Sequence, residues 1–373
     1  MTSPPYTDDS LNALQAQRHA LEIVFGPIAF QVALVMRRSG MLDLLAAPGA
    51  RAGLSLAELC GQLSRPTYTV QLLAESALAS GILYRLLGEV GAPERYCLTK
   101  TGFLLCRDPV TGILMDFVQD VCYQGMFDFG RALDSGVPEG LKRWGDWPSL
   151  YKALGSLPNA VQESWYRYDH YFSDRTFAQA LRVVFDPSPH RLLDVGGNTG
   201  RWALACVAYD PWVEVTVLDL PEQIASLGQM ITGVSGADRI HGMAVDLLDP
   251  ATTLPGGFDV IWMSQFLDCF RDEDMVRILR LAAAAMSKET RLYTNEIYWD
   301  RQRFESASYV LMQSCPYFTA MANGQSKFPR WPDMCRCIDA AGLAVEINLD
   351  GLGVGHTLTC CRLAAPGAKA PGA

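Results

Sequence analysis

The alternation of strand-like and helix-like segments between residues 188 and 365 constrains the fold of this chain more than any other feature. Short apolar runs alternate there with segments whose apolar residues recur at helical spacing. The strand-like runs are RLLDVGG, EVTVLDL, IHGMAVDLL, FDVIWMSQFL and TRLYTNEIYW. Parallel strands need crossover connections that helices supply, so the alternation predicts a doubly wound α/β domain. A short Gly-rich link joins the last two strand-like segments, within AVEINLDGLGVGHTLTCCRL, and makes one of them antiparallel.

Residues 1–108 are expected to form a mainly α-helical domain of the winged-helix type. The segment SLAELCGQL begins with Ser55 and has Glu58 three residues later, which is the spacing of a helix capping box. A second helix is predicted between Pro66 and Gly81, because apolar residues recur there at helical spacing. Two strand-like runs follow, ILYRLL and RYCLTKTGFLL. Two helices followed by two strands are typical of a winged helix.

The charge pattern argues against nucleic acid as a partner. The net charge is −9, and the 31 Lys and Arg residues form no obvious cluster. A DNA-binding winged helix needs a basic recognition helix, but residues 66–80 contain Glu75 and neither Lys nor Arg. We therefore expect this domain to mediate dimerisation or to form a pocket wall. A cofactor-sensing winged-helix regulator is the less favoured alternative.

Several features favour a cytoplasmic protein that is not inserted in a membrane. The first ten residues lack the basic and apolar regions of a signal peptide, and no uninterrupted apolar run reaches about 18 residues. Gly26, Pro27 and Gln31 interrupt the apolar stretch 23–36, which predicts a buried helix or an oligomer contact. The 11 cysteines lack the spacing of zinc ligands and are typical of reduced cysteines in the cytoplasm.

Residues 109–187 are predicted to be linking helices that form a substrate pocket. They are rich in aromatic residues, in the segments MDFVQDVCYQGMFDFG, RWGDWPSLY and ESWYRYDHYF. Tyr and Trp combine apolar rings with polar tips, which suits them to line a pocket for a flat organic ligand. The final residues, 366–373, are expected to form a flexible tail.

The segment LLDVGGNTG has the context of a cofactor-binding turn, because it follows a strand-like run and precedes a helix-like one. Its glycines let the backbone approach a ligand closely, and Asn198 tolerates a positive φ. The spacing lacks the last glycine of a dinucleotide-binding turn. Asp194 would repel a pyrophosphate but suits a ligand with an ammonium or sulfonium group, which favours S-adenosylmethionine. Asp219, at the end of the next strand, is placed to accept ribose hydroxyls.

The chain resembles the class I, S-adenosylmethionine-dependent small-molecule O-methyltransferases of the caffeate and bacterial antibiotic-pathway type. The resemblance is carried by LLDVGGNTG, VTVLDLPEQI, AVDLL, FLDCFRDED and TNEIYWD, and it covers nearly the whole chain. It implies a Rossmann-like methyltransferase domain with an antiparallel last strand, preceded by a winged-helix-like dimerisation domain, and hence a homodimer. A narrower likeness of MDFVQDVCYQG and MSQFLDCF to methyltransferases of aryl-polyene pathways implies an acceptor carried on a carrier protein.

The resemblance also implies a set of residues around the cofactor. The glycines contact its methionine part, one acid binds the ribose, and an acid and a leucine lie beside the adenine. The candidate residues are Asp194, Gly196, Gly197, Gly200, Asp219, Leu220, Asp246, Leu247 and Ser264. Each aspartate also has a structural alternative, as a helix cap or in a turn at a strand end.

The candidate catalytic residues depart from the family pattern. A phenol has a pKa near 10, so a base placed beside the hydroxyl lowers the barrier to methylation. The family's catalytic His is replaced by Asp268, followed by Cys269 and Phe270 where the family has Asp and Trp. Three hypotheses remain open: Asp268 is the base, His170 takes over this role, or orientation alone promotes the reaction.

The family's acids that orient this His are only partly present. Glu296 matches the first of them, whereas the second is replaced by Gln325 or Ser326. Three further histidines are expected away from these stretches: His19, His190 and His356. The chain shows no metal-ligand spacing, so no metal is expected.

The sequence therefore predicts S-adenosylmethionine-dependent methylation of a hydroxyl on an aromatic or polyene-type small molecule in secondary metabolism. The alternative is a repurposed family member that methylates carbon or uses the cofactor without transferring a methyl group.

Overall fold

The computed structural model describes residue 6 and residues 9–88 and 92–365 of the chain, so the predicted tail at 366–373 lies outside the described residues. The chain divides into two compact units, with the division between Val118 and Gln119. The aromatic linking segment from Gln119 onward therefore belongs to the same unit as the α/β domain.

The first unit is mainly helical and contains a three-stranded antiparallel sheet of order β1-β3-β2. Its elements are α1 (Ala13–Arg38), α2 (Met41–Ala46), β1 (Leu54–Ser55), α3 (Leu56–Leu63), α4 (Thr67–Ala79), β2 (Leu83–Leu86), β3 (Arg95–Leu98), α5 (Lys100–Arg107) and α6 (Pro109–Phe117). Two helices followed by a strand pair match the predicted winged-helix arrangement.

Local signals explain where these elements begin. The capping box predicted at α3 is confirmed, because the Glu58 N–H donates to Ser55 Oγ (3.3 Å) and the Ser55 N–H donates to Glu58 Oε2 (2.7 Å). The prediction of a strand throughout RYCLTKTGFLL is wrong in its second half. Thr99 Oγ1 accepts the Gly102 N–H (3.0 Å) and caps α5, so the strand ends and a helix begins there.

Helix α1 exposes much of its apolar surface. Ile23, Val24, Phe25 and Ile28 are all more than half exposed, and only the last third of the helix contributes to the core of the unit. Of the two predictions for residues 23–36, a buried helix holds only for the last part of the stretch, whereas an oligomer contact is compatible with the exposed apolar surface before it. By length and composition α1 would be able to cross a membrane, although a single such helix is weak support for insertion.

The second unit carries helices followed by a seven-stranded sheet of order β6-β5-β4-β7-β8-β10-β9. Its elements are α7 (Phe129–Ser135), α8 (Leu150–Ala153), α9 (Asn159–Ser173), α10 (Phe177–Val184), β4 (Arg191–Val195), α11 (Arg201–Tyr209), β5 (Glu214–Asp219), α12 (Pro221–Ile231), β6 (Ile240–Ala244), β7 (Val260–Ser264), α13 (Asp272–Ala285), β8 (Arg291–Glu296), α14 (Glu305–Tyr317), α15 (Trp331–Ala340), β9 (Leu343–Leu352) and β10 (His356–Leu363). The predicted doubly wound α/β domain is confirmed. Strand β10 is antiparallel to both of its neighbours, as the Gly-rich link predicted.

The sheet separates two apolar cores, which explains the continuous apolar runs of its central strands. In β7, Val260 and Trp262 pack on one face, while Ile261 and Met263 pack on the other. The chain order of the strands reverses between β4 and β7. In sheets of this kind, a ligand site lies at the carboxyl ends of the strands beside such a reversal.

Candidate active site

A cavity of about 510 Å³ lies at the carboxyl ends of β4, β5 and β7, and this volume is typical of small-molecule sites. It brings together most of the residues that the sequence assigned to binding or catalysis. Those that line it are Asp194, Gly196, Gly197, Asp219, Leu220, Asp246, Leu247, Ser264, Asp268 and His170. Gly200 and Glu296 do not line it.

The glycine turn after β4 adopts the backbone that its residues predicted. Gly196 and Asn198 have φ angles of 74° and 50°. A Cβ on Gly196 would lie 2.2 Å from the ring of Phe266, so this glycine makes room for a protein side chain as well as shaping the turn. Gly200, with φ 78°, is the N-cap residue of α11, and a Cβ there would lie 2.2 Å from Leu227 Cδ1. Its role is therefore in helix packing.

Asp194 presents a buried carboxylate with an unused acceptor. The residue is 2% exposed, and among the described residues its Oδ2 atom has no hydrogen-bond partner. Burial, and then the charge of Asp219, raises the pKa of this carboxyl to about 8. A ligand group that donates hydrogen bonds or carries positive charge would satisfy this orphaned oxygen.

Asp219 is held in place by the backbone at the end of β5. Its Oδ2 accepts the Asn198 N–H (2.8 Å) and its Oδ1 accepts the Leu220 N–H (2.7 Å). Each carboxylate oxygen has a second lone pair, so two hydroxyls of a ribose fit this acid. We call the part of the cavity formed by Asp194, Gly197 and Asp219 the turn end.

Asp246 combines a turn role with a place at the cavity. Its Oδ1 accepts the Leu248 N–H (2.9 Å), and its Oδ2 forms an ion pair with Lys152 Nζ (3.0 Å). Asp246 therefore stabilises a turn, as the structural alternative predicted, and also lines the cavity, as the binding hypothesis predicted. The neighbouring Leu247 is 5% exposed and offers an apolar surface to a flat ring.

Asp268 and His170 both line the cavity, and burial changes their basicity in opposite directions. Asp268 is 4% exposed, and burial raises the pKa of its carboxyl to about 6. Burial, with a smaller contribution from Arg201, lowers the pKa of His170 to about 4. The His170 ring stacks on Tyr166 with a centroid distance of 5.6 Å. Near neutral pH, burial therefore makes Asp268 a stronger base than an ordinary aspartate and His170 a weaker base than an ordinary histidine.

Glu296 lies behind the cavity wall. It is fully buried, and its Oε1 accepts the N–H groups of Phe266 and Leu267, each at 3.1 Å. Burial and the nearby charge of Asp268 raise the pKa of Glu296 well above its usual range. Glu296 thus holds the segment that leads directly to Asp268.

Aromatic side chains from distant segments form the other end of the cavity. The Trp165 Nε1–H donates to the Tyr317 hydroxyl (2.7 Å), and the ring of Tyr151 meets that of Trp165 edge to face. We call the part formed by Tyr151, Trp165, Asp169, Asp268 and Tyr317 the aromatic end. The aromatic composition of the linking helices indicated such a lining, but it did not indicate which rings converge.

Two features of the site were missed from the sequence. Asp169 lines the cavity, although nothing in RYDHYF distinguishes it from a surface acid. His356 was expected to lie away from the site, and this is wrong, because its Nε2 lies 3.0 Å from Gln265 Oε1. Strand β10 pairs Thr357 with Glu296 and so brings His356 to the segment after β7. Gln265 lines the cavity and has a φ of 46°.

The two candidates for the position of the family's second acid differ in their place relative to the cavity. Gln325 lines the cavity, and so does Asn323. Ser326 does not, and its hydroxyl donates to Asn323 Oδ1 (3.0 Å). Within the described ranges, no three His, Cys, Asp or Glu residues are grouped to hold a metal ion.

A doubly wound sheet with a glycine turn after its first strand and an acid at the end of its second defines the class of Rossmann-like nucleotide-cofactor enzymes. Comparison with known protein families shows to which enzymes of this class the chain is similar. Residues 17–87 match the Dimerisation2-like domain, and residues 176–330 match the O-methyltransferase domain. The chain therefore combines these two domains and is an S-adenosylmethionine-dependent methyltransferase.

Individual relatives agree with this assignment. An L-tyrosine C(3)-methyltransferase of Streptomyces lavendulae is 26% identical, over 72% of this chain and 72% of the relative. The O-demethylpuromycin-O-methyltransferase of Streptomyces alboniger is 28% identical, over 78% of this chain and 75% of the relative. The crystal structure of an S-adenosylmethionine-dependent methyltransferase in its apo form superposes with a TM-score of 0.68 at 24% identity, covering 93% and 99% of the two chains, which shows a shared fold.

Proposed function

We propose that this protein transfers a methyl group from S-adenosylmethionine to a hydroxyl of a small aromatic acceptor. The observation that carries this proposal is one continuous cavity whose turn end has the acids suited to the cofactor and whose aromatic end contains Asp268. S-adenosylmethionine, when bound, supplies an electrophilic methyl group on a sulfonium. The residues of the chain must hold the two reactants and take up the proton of the hydroxyl.

The turn end is assigned to the cofactor on the donors and acceptors that it offers. Asp219 is fixed by two backbone N–H groups and has free lone pairs for a ribose diol. The orphaned Asp194 Oδ2 suits a cationic or hydrogen-bond-donating group. Leu220, Asp246, Leu247 and Ser264 continue the lining beside these acids.

Asp268 is proposed as the group that accepts the hydroxyl proton. With a pKa of about 6, its carboxylate is ionised near neutral pH and is still more basic than an ordinary aspartate. His170 has a pKa of about 4 and is proposed to line the acceptor space as a neutral ring. Glu296 is proposed as a positioning residue, because it binds the N–H groups of the segment that precedes Asp268.

The acceptor is proposed to be a flat aromatic molecule, because Tyr151, Trp165 and Tyr317 provide ring faces and edges. Relatives include a 3-amino-4-hydroxybenzoate 4-O-methyltransferase of Streptomyces cremeus. A polyene-type acceptor on a carrier protein is the narrower proposal and is tested with free and carrier-bound acceptors side by side. Most of the relatives are O-methyltransferases, so the alternative of a repurposed member is not favoured.

The activity is tested by incubating the full-length protein with S-adenosylmethionine and a panel of phenols, followed by mass spectrometry. We expect S-adenosylhomocysteine together with a product that has gained one methylene on oxygen. A methyl group on carbon would instead support the alternative. Cofactor binding without S-adenosylhomocysteine formation from any acceptor would contradict both O-methylation and C-methylation.

We also propose that the protein is a cytoplasmic homodimer whose subunits meet through α1. The support is the exposed apolar surface of this helix within a Dimerisation2-like domain. Light scattering should report twice the monomer mass for the wild type and for the control Gln17→Glu, and a shift to monomer for Phe25→Glu. A monomeric wild type, or its recovery in the membrane fraction, would contradict this proposal.

A further inference from the structure

Asp169 is a carboxylate at the cavity that the proposed methyl transfer does not use. It lies on α9 and lines the cavity together with Asp268. Within the described part of the chain, no side chain forms a hydrogen bond or ion pair with it. Burial, and then the charges of Asp268 and Asp174, raises the pKa of Asp169 to about 7, and the opposing charge of Arg201, which is itself paired with Asp174, offsets only part of this rise.

The positively charged side chains at the cavity form ion pairs with acids other than Asp169 and Asp268. Three cationic residues line it, and each forms an ion pair with a carboxylate other than Asp169 or Asp268. The pairs are Lys152 with Asp246, Arg201 with Asp174, and Arg271 with Asp274. The aromatic end therefore contains two carboxylates, Asp169 and Asp268, without a cationic side chain paired to either among the residues described.

Asp169 is partly buried, and a carboxylate that has lost part of its contact with water favours a compensating charge or hydrogen-bond donor. At the turn end, Asp194 and Asp219 are the acids proposed to bind the cofactor, so the cofactor does not require Asp169. The aromatic end also offers the rings of Tyr151, Trp165 and Tyr317, and the faces of Trp and Tyr attract organic cations. A cavity that offers both a carboxylate and aromatic rings has the chemistry that binds a substituted ammonium group.

We propose that the acceptor carries a protonated amine and that Asp169 is its counterion, while Asp268 faces the hydroxyl to be methylated. This inference rests on the proposed function and narrows the acceptor to the class of aromatic hydroxy-amines. Asp169 then determines which acceptors bind, and Asp268 determines how fast they react.

The test compares three matched phenols that differ in one terminal group, which is an ammonium, a hydroxyl or a carboxylate. The probes are 4-(2-aminoethyl)phenol, 4-(2-hydroxyethyl)phenol and 3-(4-hydroxyphenyl)propanoate. Their binding to the full-length protein saturated with S-adenosylhomocysteine is measured by titration calorimetry. This measurement needs no turnover, so it stays informative if the true acceptor is larger than the probes.

We expect the ammonium probe to bind at least about tenfold more tightly than the neutral probe, as a charge-assisted hydrogen bond in a partly buried site allows. In Asp169→Asn this preference should fall to about one, because the amide keeps the shape and removes the charge. Glu163→Gln is the matched control, since it removes an exposed carboxylate from the same helix, and it should keep the preference.

Equal affinities of the neutral and ammonium probes in the wild type, or no detectable binding of the ammonium probe, would overturn the inference. A preference that survives in Asp169→Asn would do the same. If Asp169→Asn instead weakens S-adenosylhomocysteine binding, the carboxylate serves the cofactor and the inference is wrong. The proposed function fails by a different result, which is the absence of methyl transfer to acceptors that do bind.

Discussion

The two ends of the cavity hold their acids by different means. At the turn end, Asp219 is fixed by the backbone N–H groups of Asn198 and Leu220, which lie in the short segments that follow β4 and β5. At the aromatic end, Asp268 and Asp169 are surrounded by side chains from separate segments, and burial raises the pKa of both. The acid of the turn end is thus fixed by its backbone contacts, whereas the carboxylates of the aromatic end have raised pKa values, which suit the proton transfer and cation binding that we propose for them.

The largest expected effect is on catalysis at the aromatic end. Asp268→Asn should lower kcat by about 100-fold or more, because a positioned general base contributes rate factors of about 10² to 10⁴. Affinity for S-adenosylhomocysteine should stay unchanged. Steady-state kinetics and calorimetry separate the two effects, and Glu273→Gln, an exposed acid shortly after it, is the matched control.

The pH dependence of the same reaction sharpens this prediction. Asp268 accepts a proton only when ionised, and its pKa is raised to about 6, so kcat should fall as the pH is lowered through that value. The neighbouring Asp169, with its pKa raised to about 7, will broaden the transition. A wild-type profile that is flat between about pH 5 and 8 would exclude Asp268 as the base.

The next effect is on binding at the turn end. Asp219→Ala should weaken the binding of S-adenosylhomocysteine by about 100-fold or more, since two charge-assisted hydrogen bonds of about 1.5–3 kcal/mol each are removed. Glu222→Gln, on the exposed first turn of α12, should bind like the wild type. An unchanged dissociation constant in Asp219→Ala would show that the ribose is bound elsewhere.

Variants of Glu296 test whether the aromatic end depends on the hydrogen bonds that this residue accepts from the segment before Asp268. Glu296→Ala leaves the buried N–H groups of Phe266 and Leu267 without an acceptor and should cost about 2 kcal/mol of unfolding free energy. Glu296→Gln keeps an acceptor oxygen and should restore most of the stability and of kcat. Chemical denaturation measures the stability of the two variants, and steady-state kinetics measure their kcat. Equal losses in Glu296→Ala and Glu296→Gln would indicate that the carboxyl group itself is required, and not only an acceptor oxygen.

The smallest expected effect is at His170. Burial lowers its pKa to about 4, so it is neutral near pH 7, and His170→Phe keeps a ring against Tyr166. We expect kcat to change by less than about threefold, within the range of a minor packing change. A loss comparable to that of Asp268→Asn would transfer the role of base to His170 and reverse the assignment of the two residues.

The turn end was predictable from the sequence because its parts are local. Asp194, the glycines and Asn198 lie within one strand–turn–helix segment, and Asp219 ends the strand that pairs beside it. Parallel pairing brings the ends of β4 and β5 to the same edge, so strand position alone placed these residues together. The capping box at α3 and the antiparallel last strand were also predictable from the sequence, because each depends on residues that are close together in the chain.

The aromatic end was only partly predictable. Asp268 was predicted to line the site because it stands where the related motif has a His, and it does line the cavity, whereas Asp169 and His356 carry no local signal. His356 meets Gln265 because β10 inserts between β8 and β9, an order of strands that no local pattern specifies. The α/β architecture, the cofactor class and the replacement of the expected His by Asp268 were therefore determined by the sequence itself. Which carboxylates stay without a counterion, and which histidine is buried beside the site, were decided by tertiary packing, because burial and charge pairing depend on segments far apart in the chain.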